Sequence, residues 1–218
     1  VDGVFVTGTG TEVGKTVIAA VIAHALAGEG KRVAVFKPAV TGLEEGGEPD
    51  HALLRRAAAS DQREDEIAPY RYGPPLSPHL AAQLAGEAID PARLADAARS
   101  AEASADAIVC EGVGGLLVPL TREYLVRDLA IELALPLVIA AQPSLGTINH
   151  TLLTIDAART AGLTVAAVVL TPWPEEPSVI EASNRETIAA LGGVAVETLP
   201  RLDLSSPSSW PRLAPRRG

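Results

Sequence analysis

The chain predicts an α/β fold: a mostly parallel sheet covered by helices on both faces. Three observations carry that reading. Short runs rich in Val, Ile and Ala recur along the chain, as in Val4–Thr7, Val33–Phe36 and Leu137–Ala141. Each run is apolar almost throughout instead of alternating with polar residues, which marks strands buried on both sides. Stretches of helical length separate the runs, so strand and helix alternate. The 218 residues suit one domain, read here as 1–218, and neither a repeat nor a linker divides them.

The elements follow in order. The strand at Val4–Thr7 enters a glycine-rich turn, and residues 15–27 then form a helix that is apolar on nearly every side, hence central. Gly28 and Gly30 end it. A second strand, Val33–Phe36, closes on Lys37-Pro38. Residues 40–49, with three glycines and three glutamates, read as a mobile loop, and Asp50 is placed to cap a helix running to about Ala59. Pro69, Pro74, Pro75 and Pro78 make 69–78 an irregular connection. Asp90-Pro91 opens the next helix as N-cap and first residue. Ala107–Cys110 is a third strand, Leu137–Ala141 a fourth and Val165–Leu170 a fifth, with a helix over Ile148–Ala161 between the last two. Ser178 and Glu181 have capping-box spacing for a helix to Leu191, and Val194–Val196 is the final strand. Residues 203–218, rich in serine and proline, are expected to be a mobile tail.

Composition narrows the function. A formal net charge of -9 argues against a nucleic-acid partner, so any anion site must be built locally from a few lysines and backbone N–H groups. The single cysteine, Cys110, rules out an internal disulfide and fits the reducing cytoplasm. The most apolar windows are interrupted too early to cross a membrane, and the first residues read as a strand and not as a leader, so Val1 is expected near the natural start.

In such a sheet ligands bind beyond the carboxyl ends of the strands. The residues there are polar after every strand. "TGTGTEVGKT", positions 7–16, follows the first strand and opens the first helix. The phosphate-binding pattern is G-x-x-x-x-G-K-[ST]; here position 9 is Thr, and the loop from Gly8 to Gly14 is one residue longer. Gly10, Thr11, Glu12, Val13 and Gly14 would offer backbone N–H groups to phosphates, Lys15 would reach the β and γ phosphates, and the Thr16 hydroxyl would face Mg²⁺. Lys37, after the second strand, is either a solvated strand-end lysine or a cation beside a transferred phosphoryl or a carboxylate. Glu111, at the tip of the third strand and followed by Gly112, Gly114 and Gly115, can hold Mg²⁺ directly or through water. Asp50 serves either as helix cap or as a second carboxylate at that metal.

Several segments together resemble one family. "GTGTEVGKT", "KPAVTG", "PDHALL", "SPHLAA", "CEGVGGLLVPL" and "SLGTINHTLLT" stand in the order and at the spacing of dethiobiotin synthetase, from about residue 4 to residue 170. The resemblance implies a phosphate-loop NTPase-like fold and a cyclo-ligase in biotin biosynthesis. Its substrates would be 7,8-diaminopelargonate, CO₂ or bicarbonate, and ATP or another nucleoside triphosphate with Mg²⁺. By the same resemblance Thr11, Lys15, Lys37 and Thr41 would be catalytic, with Lys37 on a substrate carbamate. Glu12 would hold a substrate amine, with Gly114 nearby, and Thr16, Asp50 and Glu111 would surround the metal. Leu145, Gly146, Thr147 and Asn149 would bind the far carboxylate from the partner subunit, which implies a homodimer with active sites at its interface.

Two positions depart from the family. Thr41 stands where Ser is frequent and keeps the hydroxyl. Thr171, with Pro172 and Trp173, stands where the family places an Asn to read the adenine edge, and one hydroxyl cannot replace an amide's paired donor and acceptor. Relaxed base selectivity is therefore expected. Two rival readings share the loop: a related amide-forming ligase, and a partitioning-type ATPase switch. The switch would carry a second lysine early in the loop, where Thr9, Gly10 and Thr11 stand.

Overall fold

Residues 2–213 are described by the computed structural model, which has one six-stranded, fully parallel sheet and a small parallel pair of strands. The main sheet contains β1 (Asp2–Gly8), β2 (Val33–Phe36), β5 (Ala107–Glu111), β6 (Leu137–Ala141), β7 (Val165–Trp173) and β8 (Val196–Pro200). Its order is β2-β5-β1-β6-β7-β8. The pair is β3 (Ala39–Val40) with β4 (Tyr70–Arg71). The connection from β1 leads to β2 on one side of it, and the connection from β5 leads to β6 on the other, so the loop after β1 faces a switch point, where such sheets open a crevice.

The strands sort their side chains by twos. Val4, Val6, Val33, Val35 and Val109 face the layer made by α1 (Lys15–Gly28) and α2 (Asp50–Ala57). Phe5, Ala34, Phe36, Ile108 and Cys110 face the opposite layer. There the helices α5 (Pro91–Ala103) and α6 (Val126–Leu133) pack beside α4 (Pro78–Leu84), after the short α3 (Glu64–Ile67) of the first layer. Ile139, Ala141, Val168 and Leu170 extend this second layer against α7 (Thr147–Thr160) and α8 (Val179–Gly192). Ile18 and Ile22 of α1 are fully buried, each contributing about 1.5–3 kcal/mol by removal from water.

The expected strands and helices are present, joined by the unexpected α3, α4, α6 and the β3–β4 pair, whose β4 lies in the stretch expected to be irregular, and four expectations differ in detail. Asp50 is the first residue of α2 and caps nothing: Pro49 is the N-cap, and no side chain bonds the helix end. The 40–49 stretch begins as the end of β3 and contains a short 3₁₀ turn, Leu43–Glu45. The last strand begins at Val196, because Gly193 ends α8 in the left-handed region. In the tail, Trp210 and Leu213 are buried with α1, and Trp210 Nε1 donates to the Asp203 carbonyl at 2.8 Å. Residues 214–218 of that tail lie outside the described residues.

Candidate active site

Strand register builds the centre of the site. Phe36 pairs with Cys110 on adjacent parallel strands, so the next residues, Lys37 just past β2 and Glu111 at the end of β5, stand side by side. Phe36 and Cys110 point into the second layer, and their successors turn towards α1. The Lys37 N–H donates to the Ile67 carbonyl at 2.8 Å, fixing the backbone where β2 ends. Lys37 Nζ then lies 2.6 Å from Glu111 Oε1 and 2.9 Å from Asp50 Oδ2. The Thr16 hydroxyl, one residue into α1, donates to the same Glu111 Oε1 at 2.9 Å. Four side chains from β2, α2, β5 and α1 thus meet within hydrogen-bond reach.

Burial makes this cluster costly to build and hard to do without. The Glu111 side chain is inaccessible and that of Lys37 is 4% exposed, while Asp50 is 43% exposed and opens the cluster to solvent. A buried charge is tolerated only when paired and hydrogen-bonded. Burial is the largest influence on Lys37 and opposes its charge, but Glu111 and Asp50 outweigh it and hold its pKa above the usual lysine range. Burial likewise raises Asp50, yet Lys37 and Thr16 prevail and its carboxyl titrates below the usual range. Burial pushes Glu111 up against the pull of Lys37, so its charge depends most on its neighbours.

The phosphate loop lies beside the cluster. Gly14 is the N-cap of α1 at φ 90°, a left-handed conformation that a side chain disfavours. A Cβ there would also strike the Thr171 side chain, so the end of β7 presses on the loop. Gly115 closes the other side: a Cβ on it would meet the Gly8 carbonyl at 3.4 Å. The Lys15 ammonium donates to the Gly10 carbonyl at 2.8 Å, across the mouth of its own loop. Burial brings its pKa down to about 8, with Glu111 opposing and Lys37 adding to the shift. Glu12 adopts φ 58°, and Gln142 Nε2 donates to its carbonyl at 3.0 Å, tying the lengthened part of the loop to the end of β6.

The remaining expected residues are less gathered. Thr11 and Glu12 are exposed, Val13 is buried, and Thr41 is half-buried after β3. Gly114 approaches Thr11, a Cβ on it lying 3.6 Å from the hydroxyl oxygen. Pro172 is exposed and Trp173 half-buried beyond Thr171. Gly146 is the N-cap of α7 at φ 93°, Thr147 is buried, and Leu145 and Asn149 project to solvent. Among the described residues, no hydrogen bond or ion pair joins these four to Lys37, Thr41 or Glu111. Two supports were not singled out from sequence. Gln142 begins the polar stretch after β6 but carries no sign of its bond to the Glu12 carbonyl, and Asn184 of α8 holds the Pro143 and Ser144 carbonyls at 3.0 and 3.3 Å with no local signal at all.

The donor set fits a hard divalent cation. Among the described residues no three His, Cys, Asp or Glu side chains form a metal-sized cluster. Magnesium needs fewer, since it is held by one or two carboxylates with phosphate oxygens and water completing its shell. Glu111 Oε2 is a buried oxygen without a hydrogen-bond partner, which is rare for a carboxylate and leaves an acceptor for such an ion.

Residues 2–209 match the AAA domain family. Among solved structures, the chain resembles the MinC:MinD cell division complex of Aquifex aeolicus, with TM-score 0.59 and 16% identity over 93% of this chain and 82% of that one. It also resembles the cell division ATPase MinD of Pyrococcus furiosus, with TM-score 0.56 and 16% identity over 92% and 84%. At such identity the likeness speaks to fold alone: a phosphate-loop NTPase architecture. Sequence relatives are nearer. The ATP-dependent dethiobiotin synthetase BioD of Bacillus cereus (strain B4264) is 41% identical over 89% of this chain and 81% of its own length. The enzyme of the same name from Anaeromyxobacter dehalogenans (strain 2CP-1) is 44% identical over 81% and 80%, and that of Rhodococcus erythropolis (strain PR4) 41% over 87% and 83%. With this phosphate loop and this lysine–carboxylate cluster in place, the chain belongs to the ATP-dependent dethiobiotin synthetases, enzymes of the ligase class.

Proposed function

We propose that the chain closes a cyclic urea on 7,8-diaminopelargonate, using CO₂ and a nucleoside triphosphate. One amine takes up CO₂ as a carbamate. A carbamate oxygen attacks the γ phosphorus and the nucleoside diphosphate leaves. The second amine then attacks the carbon of the mixed anhydride, and phosphate departs with the bridging oxygen.

The observation that carries the reading is Lys37: a buried ammonium beside a phosphate loop, reaching two carboxylates. Carbamate and triphosphate repel each other, and bringing them together needs cations fixed in advance. Lys37 meets the carbamate and Lys15 the triphosphate, with the Thr11 and Thr41 hydroxyls beside the carbamate. Thr16, Asp50 and Glu111 would hold Mg²⁺, which supplies charge neutralisation to the triphosphate. Glu12 holds a substrate amine, and its left-handed backbone is the kind of local strain that collects at working sites. Leu145, Gly146, Thr147 and Asn149 serve the neighbouring subunit of a homodimer, and the 89% exposure of Leu145 supports a role outside its own chain. No helix among the described residues is long and apolar enough to cross a membrane, and the free, buried Cys110 suits work in the cytoplasm.

Base selectivity is relaxed in this reading. Thr171 is buried against the loop, and Pro172 offers no N–H, so the end of β7 presents few donors to a base edge. The test supplies diaminopelargonate, bicarbonate and Mg²⁺ with each of ATP, CTP, GTP and UTP at low concentration, and follows phosphate together with the urea by mass. Urea with several nucleotides is expected. Substrate-independent hydrolysis without urea rejects the reaction; urea with ATP alone rejects only the relaxed selectivity.

A further inference from the structure

The position of Lys37 raises a question that its part in catalysis does not answer. Its ammonium contacts Asp50 Oδ2 and Glu111 Oε1, and Thr16 donates to that same Glu111 oxygen. These are the three side chains whose chemistry suits a divalent cation. The two carboxylates come from separate elements, the start of α2 and the end of β5, and between them stands one lysine charge. An ammonium and a hard cation compete for the same oxygens by the same electrostatics. Glu111 adds a second, independent sign: Oε2, buried in a residue with no exposure, has no partner, so Lys37 satisfies only half of the carboxylate. A permanent structural ion pair would leave no such orphan.

We propose that Lys37 occupies the Asp50–Glu111 pair in place of a divalent cation, and that a cation arriving with the nucleotide displaces its ammonium towards the anion of the second substrate. Loading the metal and arming Lys37 are then one exchange. The proposal rests on the cyclic-urea reading for the second substrate, but not for the exchange. It has a consequence for order: before the nucleotide enters, Lys37 is committed to protein carboxylates and unavailable to a carbamate. It also keeps two neighbouring carboxylates from facing each other unneutralised when no ion is bound.

The test measures cation binding directly. Mn²⁺ is titrated into nucleotide-free protein in slightly alkaline buffer and free ion is read by electron paramagnetic resonance. Lys37→Met keeps the length of the side chain and removes its charge, and is expected to bind Mn²⁺ about tenfold more tightly than wild type. Lys37→Arg keeps the charge and should stay near wild type, and adding Asp50→Asn to Lys37→Met should abolish the gain. Equal or weaker binding by Lys37→Met overturns the exchange. If Lys37→Met does not fold, the wild-type protein decides. Its lysine side-chain ¹⁵N resonances are followed while Mg²⁺ and a non-hydrolysable nucleotide are added, and the Lys37 signal should move. A signal that stays fixed overturns the exchange, while formation of the urea by the same protein with ATP in place of the analogue leaves the proposed reaction standing.

Discussion

The two sides of the strand rim differ in how complete they are within one chain. Around β1, β2 and β5, Thr16, Lys37, Asp50 and Glu111 hold one another at 2.6–2.9 Å, and most of that cluster is closed to water. Around β6 and α7, Leu145 is 89% and Leu153 59% exposed, and the first turn of α7 faces solvent at Asn149. Exposed large apolar residues, Leu145 before α7 and Leu153 midway along it, suit a surface that another molecule covers. The contrast has a physical reason. Charges that must neutralise a phosphoryl transfer gain from being fixed before the substrates arrive, and a folded chain fixes them best. In the proposed reaction the α7 segment would hold only the distant end of a substrate, a task that a second copy of the chain could supply.

The contrast can be broken from either side. The largest effect is expected from Glu111→Ala, which strands the buried Lys37 ammonium with only a half-exposed partner. Loss of one member of a buried pair costs about 3–5 kcal/mol, readable by denaturant unfolding. A cost near zero would mean that the cluster is not preorganised. Next comes Gly14→Ala, which forces a side chain into a left-handed N-cap and against Thr171. A cost of about 1–2 kcal/mol and weakened nucleotide binding are expected, and Thr171→Ala in the same chain should restore part of both. On the open side, Leu145→Asp should leave subunit stability within about 0.5 kcal/mol while sedimentation shows monomers and urea formation falls. An unchanged assembly would remove that segment from any interface.

The legible parts of the fold were those where burial is one-sided in its demands. Central strands such as Leu137–Ala141 must be apolar on both faces, and there the apolar run and the strand have the same bounds. The edge strand β8 alternates between buried and exposed positions, so its apolar run at Val194–Val196 pointed two residues too early. α6 was missed because Leu125, not a hydroxyl residue, precedes it, and Asp128 reaches back to the Leu125 N–H at 2.8 Å to close that end. Prolines hid α4, although Pro78 is its first residue and compatible with a helix start.

At the site, the loop and Glu111 were legible because glycine spacing and strand position are local signals. Lys37 stood undecided between solvated lysine and working cation. What decides it is the pairing of Phe36 with Cys110, a register between residues 74 apart that no local pattern encodes. Asp50 stood open between helix cap and metal carboxylate for the complementary reason: an acid at a helix start satisfies the local rule for a cap, and only the fold brings it to Lys37.

In the proposed reaction the carbamate oxygen takes the phosphoryl group before the ring closes. The direct measurement is a reaction run in ¹⁸O-labelled bicarbonate, with released phosphate and urea examined by mass. One labelled oxygen in each phosphate, with a second kept in the urea carbonyl, is the predicted result. Unlabelled phosphate would show that water, and not the carbamate, receives the phosphoryl group, and would contradict the account.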